Sequence, residues 1–114
     1  MTPEQEAVLH RAVMQNGAER QIEMVSEEVG ELLKALNKVQ RKGLLFHNGI
    51  HQPNKEMSIE KCISFYDLCS EIADVKTLIS QLEFMVGSVG REAIQISQDR
   101  KIDRLEERLN KKTQ

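Results

Sequence analysis

Apolar residues recur along this chain at the three- and four-residue intervals of amphipathic helices, and the pattern breaks at only a few points. Thr2 followed by Pro3 predicts a helix start: a capping side chain, then a residue whose missing N–H costs nothing in a first turn. Val8, Leu9, Ala12 and Val13 continue at helical spacing until Asn16-Gly17 ends the run. A second helix is predicted over about 18–41, with Ile22, Val25, Val29, Leu32, Leu33, Leu36 and Val39 as its apolar face. A basic last turn and Gly43 form its stop signal. Ser58 is placed to cap a third helix that continues to about Val86. Gly87-Ser88-Val89-Gly90 reads as a turn, and a last helix takes most of 91–111. The strongly charged end of that helix, over 100–112, either projects from the rest or packs on another chain.

Between the second and third helices, residues 43–57 contain Gly49, Pro53 and two Asn, and show no sustained helical period. They read as a long loop, in which the triplet Leu44-Leu45-Phe46 is apolar enough to cover a core or a substrate base. Four helices and no credible strand predict an all-α fold, a four-helix bundle in one domain over residues 1–114. A chain of this length buries only a modest core, so completion of the bundle by oligomerisation is expected.

Composition narrows the function. Sixteen Lys and Arg against eighteen Asp and Glu leave a formal net charge of −2. That balance argues against a nucleic-acid polymer as partner, because such binding needs a surplus of cations to displace counterions. An anionic ligand would have to be held locally, by a metal or a small basic cluster. Cys62 and Cys69 lie seven apart on a predicted helix, a separation of roughly 10 Å that no disulfide spans. They read as small core residues of a reducing compartment. No signal-like stretch and no membrane-spanning apolar run is present, so a soluble cytoplasmic protein without membrane attachment is expected.

The most informative feature is a conflict between charge and amphipathicity. On the second helix Met24, Val25, Leu32, Ala35, Leu36 and Val39 define a broad apolar arc; Glu28 projects from within it, Glu31 lies at its edge and Glu27 points away. On the third, Leu68, Val75, Leu78, Ile79 and Leu82 define a face that contains Glu71 and borders Asp74. Burying bare carboxylates is expensive unless they are paired or hold a metal. Two helices that each aim a pair inward concentrate negative charge until a cation arrives. Within each pair the three-residue spacing puts the acids on neighbouring turns of one face, as a pincer. A ligand set of oxygens alone favours magnesium, manganese or calcium over zinc, and no Glu-x-x-His pair of the di-iron kind occurs. The plainer alternative is that these are helix-surface acids paired with Lys and Arg.

Glu27-Glu28-Val29-Gly30-Glu31-Leu32, followed by Glu71-Ile72-Ala73-Asp74-Val75, resembles the paired E-E-x-x-E and E-x-x-D motifs of MazG-like nucleotide pyrophosphohydrolases, of the all-α NTP pyrophosphatase superfamily. The resemblance runs from about Asn16 to Arg108 and takes in Gly17, Gln21 and Lys101. It implies magnesium-dependent cleavage, with manganese as a substitute, of a nucleoside triphosphate (NTP or dNTP) to monophosphate and pyrophosphate. It also implies Glu28, Glu31, Glu71 and Asp74 as metal ligands, Glu27 as an outer-shell or water-orienting group, and a homodimer or homotetramer. Any of these carboxylates, Glu28 among them, could accept a proton from the attacking water. The chain departs from the pattern in a long stretch between the motifs and in Leu105, where many members have Asn.

Gln21, Lys34, Lys101 and Arg104 are the candidate substrate contacts. Against them stand a salt bridge from Lys34 to Glu31, and an ordinary solvated helix face for Lys101 and Arg104. His47 and His51, four apart in the loop, are exposed loop residues or ligands for a metal or base; Lys38 is a further basic neighbour of Glu31. Phe65 and Tyr66 are better read as core than as a base platform. No nucleophile with an arranged base is evident. The competing readings are a non-catalytic helical interaction module and a cation-binding regulatory bundle.

Overall fold

The computed structural model describes residues 1–113, with side chains as far as Lys112. It contains α1 (Pro3–Asn16), α2 (Ala18–Arg41), β1 (Leu45–Phe46), β2 (Gly49–Ile50), α3 (Ile59–Met85) and α4 (Gly87–Thr113). The all-α class and the limits of the first three helices follow the sequence pattern closely. The chain divides into two compact units, residues 1–81 and the residues from Leu82 onward.

In the first unit, α1 opens with a capping box. The Gln5 N–H donates to Thr2 Oγ1 at 3.1 Å and the Thr2 N–H donates to Gln5 Oε1 at 2.9 Å. Gly17 alone separates α1 from α2 and has φ 80°, a left-handed value that a side chain would strain. The two helices then pack against each other.

The segment expected to be a bare loop contains a small antiparallel hairpin, with Leu45 opposite Ile50 and Phe46 opposite Gly49. His47-Asn48 make the connection, the His51 N–H donates to Leu44 O at 2.7 Å, and the Phe46 and His51 rings lie 4.7 Å apart. The apolar triplet is divided by this hairpin. Leu44 is only 1% exposed and joins Ala35, Val39 and Leu68 in the core, with Leu32, Ile50 and Met57 packed around them, whereas Leu45 and Phe46 stay exposed.

The buried stripe of α2 is narrower than its apolar pattern and rotated from it. Gln21, Ala35 and Val39 are buried, while Ile22, Val29, Leu33 and Leu36 are exposed. Gln21, Glu28, Ala35 and Val39 lie within an arc of about 40° of the helix surface.

The second unit consists of the last turn of α3, Val86 and α4. The expected four-residue turn at 87–90 is compressed into one corner. Gly87 has φ 72°, a left-handed value, and Ser88, Val89 and Gly90 follow it in α4. Arg91 closes the corner by donating from Nη1 to Glu83 O at 3.1 Å.

Candidate metal centre

Two seven-residue repeats set the site. On α2, Gln21, Glu28 and Ala35 follow one another at two-turn intervals; on α3, Ser64, Glu71 and Leu78 do the same. The residues flanking each glutamate are buried, and both glutamates are half-buried. The helices run antiparallel: Gln21 near the start of α2 meets Gln81 near the end of α3, and Ala35 and Val39 share a cluster with Leu68. Glu28 therefore comes opposite Glu71 and Asp74.

One carboxylate oxygen from each of Glu28, Glu71 and Asp74 lies within 4.8 Å of the others. Among the described residues these three form the group of acidic side chains close enough to share one cation. Loss of solvation, then the charges of Asp74 and Glu71, hold the Glu28 carboxyl above its ordinary range. A hydrogen bond that only protonated Glu28 can donate to Asp74 adds to the same shift, as does the charge of Glu31. Glu71 Oε2 is buried and accepts no hydrogen bond among the described residues. A buried carboxylate oxygen without a donor, beside two more carboxylates, suits a hard cation and suits little else.

The remaining candidates divide. Glu31 is exposed, its Oε1 3.4 Å from Lys34 Nζ, and lies outside the three-residue group. Glu27 is exposed and paired with Arg20 at 3.2 Å. Gln21 is fully buried, its Nε2 donating to Gln81 Oε1 at 2.5 Å, so its amide is committed to a helix neighbour. Lys101 and Arg104 are exposed residues of α4, in the second unit. Lys34, Lys38 and Arg41 line a shallow basic depression on α2. Cys62 and Cys69 are free thiols, and Phe65 and Tyr66 make an edge-on ring pair with centroids 5.4 Å apart.

Sequence reasoning missed Gln81. It donates from Nε2 to Leu9 O at 3.2 Å while accepting from Gln21, and so joins α1, α2 and α3. The signal was present in the spacing: Gln21 stands seven before Glu28, and Gln81 seven after Asp74, on the same inward stripes.

Fold and site together define an all-α protein with a three-carboxylate cluster set between two antiparallel helices. Comparison with protein families, curated proteins and solved structures finds no match to this chain.

Proposed function

We propose that the chain is a magnesium-dependent nucleoside triphosphate pyrophosphohydrolase, converting an NTP or dNTP and water to the monophosphate and pyrophosphate. The observation that carries this reading is the convergence of Glu28, Glu71 and Asp74 within 4.8 Å from two helices. These residues belong to the two sequence motifs that resemble the MazG-like enzymes. Glu28, Glu71 and Asp74 hold the cation, and Glu31 joins them when its carboxylate leaves Lys34. Magnesium, or manganese in its place, supplies neutralisation of the triphosphate and of the pyrophosphate that departs.

In this reading the carboxylate oxygen of Glu28 that is turned away from the cation accepts the proton of the attacking water. Glu27, once released from Arg20, orients that water. Lys34 contacts a phosphate. In this reading the helices form a four-helix bundle completed as a homodimer or homotetramer, in the cytoplasm.

The test is a panel of NTPs and dNTPs with magnesium or manganese, read by pyrophosphate release. Release from at least one substrate is expected, with a loss of roughly 100-fold or more in Glu28→Gln and Glu71→Gln, beyond what outer-shell partners of a metal usually contribute. Folded protein that releases no pyrophosphate across the panel with either metal would sink the proposal. Cation-dependent stabilisation without turnover would then point to a regulatory bundle, and absence of both to an interaction module.

A further inference from the structure

Helix α4 carries an apolar stripe whose two borders have opposite charge. Ile94, Ile102, Leu105 and Leu109 are 42 to 55% exposed, and with Gln98 they fall within an arc of about 80°. Every residue from Arg91 to Lys112 is exposed. One border of the stripe holds Lys101, Arg104 and Arg108; the other holds Asp99 and Glu106. Among the described residues Lys101, Arg108 and Glu106 take part in no ion pair. Asp99 accepts a hydrogen bond from Gln95 of its own helix at 3.0 Å.

We propose that α4 pairs side by side and parallel with α4 of a second copy of this chain, over residues 95–112. In heptad terms Ile102 and Leu109 take position a and Leu105 takes d, with Lys101 and Arg108 at g and Asp99 and Glu106 at e. A parallel pair sets each g residue against the e residue of the following heptad on the other helix. Lys101 of one copy then meets Glu106 of the second copy, and the twofold axis repeats the contact. An antiparallel pair sets e against e and g against g, so acid would face acid and base would face base. The sign pattern therefore selects both the occupant, a second copy, and its orientation. Gln95 and Gln98, at a and d ahead of Ile102, fix register while weakening the seam. With only three apolar seam positions, dissociation in the micromolar range is expected.

The proposal supplies a surface for the oligomer of the hydrolytic reading and is independent of hydrolysis, because its test contains no nucleotide. Sedimentation equilibrium of the full chain is expected to show a reversible dimer. Lys101→Glu and Glu106→Lys are each expected to weaken it by about tenfold, since like charges then oppose across the seam. An equimolar mixture of the two variants is expected to recover association as a heterodimer, in which both contacts are again of opposite sign. In a Cys62→Ser, Cys69→Ser background, Ile102→Cys is expected to form a disulfide-linked dimer under mild oxidation, since equivalent a positions face each other only in the parallel arrangement. Monomer at all concentrations would overturn the proposal. So would single variants that dimerise as tightly as the parent, which would place the interface elsewhere. Cross-linking between Ile102→Cys and Leu105→Cys, an a position against a d position, with none between two Ile102→Cys chains, would overturn the orientation.

Discussion

Glu28 sits where α2 would ordinarily place an apolar side chain, and its proton affinity records that position. Its folded pKa is raised by lost solvation and by Asp74 and Glu71. A raised folded pKa makes a stability contribution that is fully present below the ordinary carboxylate pKa and is lost as pH rises through the folded value. Cation-free protein should therefore melt below Glu28→Gln at neutral pH, where Glu28 is charged beside two other carboxylates. That advantage of the variant is expected to shrink as the pH falls from about 8 to about 4. Thermal melts of the two proteins across this window, in chelator, measure it; general acid effects are common to both and cancel in the difference. A constant difference would show that Glu28 does not feel its neighbours. Glu28 and Glu71 were legible in the sequence because each falls within the apolar face of its helix, a placement that helical spacing alone displays. The place of Glu31 was not. An acid at the edge of the stripe chooses between Lys34 and the cluster by side-chain rotation, which spacing does not determine.

At the scale of elements, the antiparallel register of α2 and α3 is marked by a polar pair at one end and by apolar packing at the other. Gln21 and Gln81 are both buried, and the Oε1 of Gln21 has no hydrogen-bond partner among the described residues. Gln81→Leu would strand the Gln21 amide as well and is expected to destabilise the fold by about 1–3 kcal/mol. Replacing both partners removes the stranded group, so the Gln21→Leu, Gln81→Leu double variant is expected to recover much of that loss. Urea unfolding of the singles and the double closes the cycle, and simple additivity would show that the pair is not coupled.

Two glycines inside helices make a contrasting pair. A Cβ at Gly30 would meet nothing within 4 Å, so Gly30→Ala is expected to stabilise α2 by about 1 kcal/mol through helix propensity. A Cβ at Gly90 would collide with Cβ and Cγ2 of Val86, so Gly90→Ala is expected to destabilise the corner despite the same propensity gain. Equal effects in thermal melts would remove the steric account. This pair also explains why the start of α4 was placed too late: four residues containing two glycines look like a turn, but of the two only Gly87 has a positive φ. Gly90 is needed for clearance against Val86, a tertiary requirement that local sequence does not display. The hairpin over 45–50 was missed for a related reason, since two-residue strands are too short to show an alternating period.

On the scale of the whole molecule, helical class was legible because it rests on periodicity summed over long segments, whereas the division at Gln81 and Leu82 falls inside a continuous helix and leaves no trace in composition. A chain of near-balanced charge that brings three acids together, two half-buried and one exposed, should respond to divalent cations differently from one whose acids are spread apart. Binding to the folded state alone stabilises it by RT ln(1 + [L]/Kd), or about 2.7 kcal/mol at a hundred times Kd. Magnesium and manganese are accordingly expected to raise the melting temperature along a single logarithmic curve, at fixed ionic strength and fixed protein concentration. Glu28→Gln and Glu71→Gln should each flatten that curve. Glu27→Gln, which removes an exposed acid bound to Arg20, should leave it intact. Glu31→Gln separates two arrangements of the cluster: a flattened curve means that this residue leaves Lys34 to join the ion, and an unchanged one means that three carboxylates suffice. If sodium at matched ionic strength reproduced the whole shift, the effect would be screening of like charges rather than coordination, and the cluster would lose its standing as a metal centre.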